Sequence, residues 1–225
     1  ADVDPEWAAE QAAVGAFANS GQLCVAVERI YVHRSIAAPF LEALVRRAES
    51  MRLGPGRDPG TELGPLVDRR HREHVDAHVR AAVAEGARAM CGGRIPDGPG
   101  AFYPSTVLAD CSDDMVVMRD ETFGPVAPVM AVDSFDEGLS RASHSPYGLG
   151  ATVLTGSMSH AQRAWRELTV GTVKINAVFG GAPGGAAHPR RGSGQGFGYG
   201  PELLDELTVT KVVHLSPPGG SPGSW

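Results

Sequence analysis

Long apolar runs are absent from the 225 residues: no stretch approaches the ~20 apolar residues that a membrane-spanning helix requires. Basic clusters are absent too. Twenty Lys and Arg against 26 Asp and Glu leave a net charge of −6 with the signs interspersed, so no basic surface argues for nucleic acid or an anionic lipid partner. Cysteine is scarce. Cys24, Cys91 and Cys111 are odd in number and fall in neither zinc-type nor Cys-x-x-Cys spacing, which speaks against a disulfide framework and for a reduced, cytoplasmic setting. The opening "ADVDPEWAAEQ" has no starting Met and no basic region followed by an apolar stretch, so it does not read as a secretory signal. "GSGQGFGYG" puts glycine at every second position and lacks the Gly-x-Gly-x-x-Gly spacing of a pyrophosphate cradle; it reads as a flexible turn.

What is present is a chain long enough, and at 42% apolar rich enough, to bury a real core. Helical and extended patterns alternate. Residues 5–18 form an Ala-rich helical segment stopped at Asn19–Gly21, and "VERIYV" reads as a strand. Ser35 is placed to cap a helix carrying Phe40, Leu41, Leu44, Val45, Ala48 and Met51 on one face. After the loop "GPGRDPG" comes a helix over about 68–85, striped by Val75, Val79, Ala82 and Val83. Strands follow around "ARAMCGG", "YPSTVLADC" and "GPVAPVMAV". A helix over 135–143, a strand "GLGATVLTG", a helix "SHAQRAWREL" and a strand "GTVKIN" continue the rhythm. A Gly-rich loop, a short helix "PELLDEL", a strand "TKVVHL" and a flexible tail "SPPGGSPGSW" close it. Such alternation predicts a layered α/β domain with a largely parallel sheet.

Two stretches carry candidate chemistry. In "GQLCVAVERIYV" the Cys24 thiol stands at the mouth of a predicted strand, beside Asn19, Gly21 and Gln22. A thiol there either fills a small buried hole or acts as a nucleophile whose thiolate is favoured by nearby backbone N–H groups, and Gly21 permits close backbone approach by a substrate. Cys91 and Cys111 read as structural. In "DETFGPVAPV", Glu121 and Phe123 are two apart on an extended segment and so share a side. They supply either a carboxylate for a sugar hydroxyl with a ring for stacking, or a strand edge with a solvated Glu.

Taken together, "FANSGQLCVAVERIYV", "ETFGPVAPV", "YGLGATVLT", "GTVKIN" and "GSGQGFGYGPELLDELTVTKVV" resemble the aldehyde dehydrogenase superfamily in order and spacing, over all but the last ten or so residues. The resemblance implies that Cys24 is the catalytic nucleophile, with its backbone N–H donating to an oxyanion hole. It implies that Glu121 holds the nicotinamide ribose hydroxyls of NAD or NADP with Phe123 beside it, and that Asn19 and Asn176 belong to substrate-lining loops. It also implies a small-molecule aldehyde as substrate and a homodimer or homotetramer. In that assembly "TKVVHLS" adds to a neighbouring subunit's sheet.

The departures are informative. The family's general-base Glu lies in a Glu-Leu-Gly-Gly type segment well before the cysteine, and only 23 residues precede Cys24 here. That segment, the oxyanion-hole Asn and the Rossmann-type cofactor half are missing. Glu6 and Glu10 lie on a helix and read as solvated. The expected layout is a helical remnant of the cofactor-domain side at 1–20, the catalytic thiol domain at 21–200, a C-terminal helix and oligomerisation strand at 201–215, and the flexible tail at 216–225. Ala186, Ala187, His188 and Pro189 stand where many relatives carry Pro-Phe-Gly-Gly, ahead of Ser193 and Gly194. His71, His74 and His78 share one helical face and could present imidazoles to zinc. Arg69, Arg70, Arg72 and Arg80 surround them, so the face reads as solvated and no metal is expected. The alternative to a dehydrogenase is a non-catalytic remnant or assembly subunit that keeps the fold.

Overall fold

A computed structural model describes residues 1–179, 188–215 and 218. Asp4 opens the first helix, α1 (Pro5–Phe17), by accepting the Glu6 N–H at 3.1 Å, and Pro5 supplies a preset φ at the first helical position. The buried face of α1 is mostly alanine, from Ala8 to Ala16, and ends in the fully buried Phe17. Small side chains let α1 lie close against α2 (Arg34–Ser50), which answers with Phe40, Ala43, Leu44 and Ala48. The cap of α2 is not Ser35 as the sequence predicts. His33 takes that place, its ring nitrogen accepting the Ser35 N–H, and Ser35 instead lies in the first turn.

Four strands make the main sheet in the order β1-β4-β3-β2: β1 (Ile30–His33), β4 (Val126–Val132), β3 (Thr106–Ala109) and β2 (Arg88–Cys91). β1 and β3 both run parallel to β4, Ile30 facing Val129 and Thr106 facing Val126, while β2 pairs antiparallel at the edge. All four residues of β3 are buried, as a strand covered on both faces must be. One face carries α1 and α2. Against the other packs α3 (Arg69–Ala84), capped by Asp68 and burying Val75, Val79 and Ala82 with Tyr103, Leu108 and Val117. Between β3 and β4 runs a four-residue helix, α4 (Val116–Arg119), too short for periodicity to reveal.

A second sheet pairs β5 (Gly150–Val153) with β6 (Thr172–Ile175) in parallel, Gly150 facing Thr172. It is packed by α5 (Phe135–Ser143) and α6 (Met158–Glu167) through Leu139, Ala164, Leu168 and Val170. Both sheets are thus mainly parallel with helices laid on them, the layered α/β class expected. A cavity of about 1200 Å³ opens between β1 and β5. The chain continues into α7 (Pro201–Glu206). The segment predicted as a strand, "TKVVHL", is not in a strand among the described residues, and Val212 and Leu215 are 90% and 89% exposed. The predicted tail falls, but for residue 218, outside the described residues.

Candidate active site

The turn that carries Cys24 is unusual in its backbone. Asn19, Ser20 and Gly21 take φ values of 51°, 58° and 71° in succession, a conformation that disfavours non-glycine residues by about 1–2 kcal/mol each. Side chains hold it there. Ser20, 2% exposed, donates its hydroxyl to the Gly64 carbonyl at 2.9 Å. Asn19 Nδ2 donates to the Gln22 carbonyl, and Gln22 Nε2 donates to the carbonyls of Asn19 and Pro65 while its Oε1 accepts the Val67 N–H at 2.9 Å. The amide of Gln22 therefore stitches the turn to the 64–67 loop. Asn19, expected to line the substrate loop, spends its side chain inside the turn.

Beyond Gln22 a tight turn closes by Ala26 N–H to the Leu23 carbonyl, with Cys24 exposed at its tip. Among the described residues the Cys24 N–H meets no acceptor. β1 begins only at Ile30, so the thiol rides on a loop and not at the strand's mouth. The other two thiols contrast with it: burial pushes Cys91 up and Cys111 up to about 11. At neutral pH both are protonated.

Gly21 does permit close approach, but by the chain's own backbone. A Cβ built on it would lie 2.0 Å from the Gly124 carbonyl oxygen. This contact sets the Cys24 turn directly against the segment bearing Glu121 and Phe123. That segment is not extended. Phe123 has φ 52° and Thr122 is 2% exposed, so the same-side alternation expected for a strand does not hold. Glu121 is exposed and its carboxylate has no hydrogen-bond partner among the described residues.

The histidine face of α3 is not simply solvated, because His71 and His78 are half-buried against this same segment. His71 Nε2, necessarily the protonated nitrogen, donates to the Phe123 carbonyl at 2.7 Å, and His78 Nδ1 lies 3.2 Å from Thr122 Oγ1. Among the described residues no group of three or more His, Cys, Asp or Glu is arranged to hold a metal ion. Sequence reasoning missed this histidine role, and it missed Glu28 and Arg29, which also grip the segment. Their signal was available: a Glu-Arg pair interrupts the apolar run from Val25 to Val32.

Cys24 and Glu121 line one cavity, the one between β1 and β5; Asn19, Phe123 and Asn176 are not on its wall. Asn176, at φ 57°, closes β6 by accepting the Thr155 N–H at 2.8 Å and donating to the Thr155 carbonyl at 2.9 Å. It locks the ends of β5 and β6 together. In the loop that departs from the expected pattern, Ala186 and Ala187 lie outside the described residues. His188 stacks on Phe197 with centroids 4.6 Å apart, and Ser193 Oγ accepts the Gly148 N–H at 3.0 Å.

The chain is thus a layered α/β fold in which an exposed thiol and an open carboxylate line one cavity. The aldehyde dehydrogenase family matches residues 1–213, and the chain belongs to it. It is similar to the lactaldehyde dehydrogenase structure from Escherichia coli: TM-score 0.90 and 36% identity, covering 95% of this chain and 45% of that one. It is similar to betaine aldehyde dehydrogenase from Staphylococcus aureus in complex with NAD+, with TM-score 0.88 and 36% identity over 93% of this chain and 42% of that one. A succinate-semialdehyde dehydrogenase [NADP(+)] of Mycobacterium leprae is 39% identical over 175 residues, 78% of this chain and 38% of that protein. The chain spans less than half the length of each.

Proposed function

We propose that the chain is the thiol-bearing catalytic part of an NAD(P)-dependent aldehyde dehydrogenase, with Cys24 as nucleophile. The single observation that carries this reading is the contrast among the thiols: only Cys24 is exposed, and it sits on the turn that follows the pinned Asn19–Gln22 segment, its own N–H unengaged among the described residues. Cys24 thiolate adds to the aldehyde carbon, and the carbonyl π electrons move onto oxygen. The unengaged Cys24 N–H donates to that oxyanion. Loss of hydride from the thiohemiacetal leaves a thioester on Cys24, which water hydrolyses to the carboxylic acid and the free thiol. Bound NAD(P)+ supplies the hydride acceptor.

The residues suit such a cofactor. Glu121 offers two unengaged carboxylate oxygens to ribose hydroxyls on the wall that also bears Cys24, and Phe123 is fixed two residues on. Asn19 and Asn176 act by shaping the loops, since their amides are bonded to backbone. The exposed Val209, Val212, Val213 and Leu215 support addition of the C-terminal segment to a neighbouring subunit. No helix among the described residues is long and apolar enough to cross a membrane, and three free thiols suit a reducing compartment such as the cytoplasm.

Mass-spectrometric labelling with iodoacetamide at pH 7 tests the reading. Cys24 is expected to react at least about tenfold faster than Cys91 and Cys111, as its exposure and the burial that holds the other two thiols protonated require. Equal, slow labelling of all three overturns the catalytic assignment and favours an assembly subunit.

A further inference from the structure

We propose that Glu28 and Arg29 are positioning residues that hold the Glu121–Phe123 segment at a set distance from Cys24, so that a nucleotide ribose on Glu121 meets the thiol in register. The proposal rests on the cofactor reading above and adds to it two residues that touch neither thiol nor cofactor. The Glu28 carboxylate accepts the Thr122 N–H on Oε2 at 3.0 Å and the Phe123 N–H on Oε1 at 2.9 Å. Arg29 donates to three carbonyls that end α4: Nε to Met118 at 2.5 Å, Nη2 to Arg119 at 3.0 Å and to Asp120 at 3.2 Å. Two adjacent side chains thus engage the backbone at 118, 119, 120, 122 and 123. Glu121 is left as the one residue of that stretch with no bond to the pair.

The arrangement has a chemical logic. The Thr122 and Phe123 N–H groups both face the Glu28 carboxylate. A carboxylate with two oxygens suits such a pair. The guanidinium fork matches the bunched carbonyls at a helix C-terminus in geometry and sign. Arg29 is steadied in turn by the Tyr147 ring, 5.1 Å from its guanidinium carbon to the ring centroid. Both side chains leave the backbone just after the Cys24 turn, and Gly21 meets Gly124 on that turn's other flank. The two halves of the site are therefore tied at both ends.

The geometry also weighs against a competing role. Glu28 lines the cavity with Cys24, and burial, with the Glu121 charge adding, raises its carboxyl above the ordinary glutamate value while the two N–H groups and Arg29 oppose. Those features suit a general base. Each oxygen already accepts a backbone N–H, however, and protonation would weaken those charge-assisted bonds, so the carboxylate is spent mainly on holding Thr122 and Phe123. Other charged or titratable groups around the segment are Arg29 and Glu121 on its near side and His71 and His78 on α3.

The test uses the 225-residue chain, with Glu28→Ala and the near-isosteric Glu28→Gln. Amide hydrogen exchange followed by NMR is expected to quicken at least about tenfold at both Thr122 and Phe123 in Glu28→Ala, since hydrogen bonds to charged groups are the stronger kind. In Glu28→Gln, whose single carbonyl oxygen replaces two acceptors, one of the two amides quickens. The Val129 amide in β4 and the Cys24 labelling rate stay within twofold, a split that general loosening of the fold does not produce. With nicotinamide mononucleotide as probe, the apparent Kd read from Phe123 shifts rises at least about fivefold in Glu28→Ala and recovers in part in Glu28→Gln. Should Glu28→Ala not fold, the single-amide effect of Glu28→Gln decides. Unchanged exchange at Thr122 and Phe123 overturns the positioning role. A parent chain in which the mononucleotide leaves Phe123 and Glu121 unshifted overturns the cofactor reading instead, while the exchange rates still judge whether Glu28 holds the segment.

Discussion

Replacing Gly21 with alanine adds one methyl group to the place where the Cys24 turn meets the Glu121–Phe123 segment. The new Cβ would stand 2.0 Å from the Gly124 oxygen, 2.3 Å from its carbon and 3.0 Å from the Pro125 nitrogen. All three are backbone atoms, so no rotamer change relieves the overlap. Gly124 cannot retreat either, because its own position lies against Val75 of α3. Overpacking of this kind costs about 1–3 kcal/mol, and alanine at φ 71° adds about 1–2 kcal/mol. The expected loss is thus about 2–5 kcal/mol, or roughly 5–15 °C in Tm for a chain of this size. Calorimetry or circular dichroism of the Gly21→Ala chain reads it directly. Gly56→Ala is the control, since a Cβ there meets nothing within 4 Å and its change should stay within about 0.5 kcal/mol. A Gly21→Ala protein melting within about 1 °C of the parent, where ~2 kcal/mol predicts several degrees, would refute the packing argument and with it the claim that this glycine joins the two halves of the site.

Further outcomes follow from the same geometry. His78 has its pKa lowered from 6.5 by burial, with His74 and His71 adding and Asp120 opposing. The unfolded chain therefore takes up a proton that the folded chain resists, and stability falls as pH drops from 6.5 toward the folded value; urea midpoints across that range should show a shallower decline in His78→Gln. Asn176→Ala removes both bonds to the Thr155 backbone and leaves alanine at φ 57°. Each bond contributes about 1 kcal/mol and the backbone conformation about 1 more, so Tm should fall roughly 5–10 °C; a Tm unchanged within error refutes the locking role. Ser20→Ala strips the Gly64 carbonyl of a buried hydroxyl donor and should cost about 1–3 kcal/mol while raising the Cys24 labelling rate, which liquid chromatography with mass detection follows. A lowered rate contradicts the view that this bond restrains the turn.

Much of the architecture was legible because it depends on local pattern. The Val75, Val79, Ala82 and Val83 stripe predicts α3 within a residue of its observed ends, although Val83, one step beyond the buried Ala82, is 44% exposed, and Asp68 caps the helix as a side chain of that type does. The helix over 135–143 is found at those bounds. The missed cap of α2 shows the limit of residue preference: the helix begins at Arg34, so the His33 ring nitrogen accepts the Ser35 N–H and Ser35 falls inside the first turn. α4 is a single turn and has no period to read. The C-terminal "TKVVHL" has strand composition, yet a strand exists only where another pairs with it, and among the described residues this segment joins no sheet.

At the site, sequence alone determined the identities: a cysteine after Gly-Gln, a Glu and a Phe ahead of Gly-Pro, and the order that ties them to a family. Those are properties of the chain's chemistry and survive any folding. Tertiary structure decided the rest. Phe123 is left-handed, Gly21 touches Gly124, His71 reaches a carbonyl 52 positions away, and Glu28 bonds N–H groups 94 and 95 positions on. Hydrogen bonds over such separations form only when packing brings distant backbone together, and no spacing rule along one chain records them.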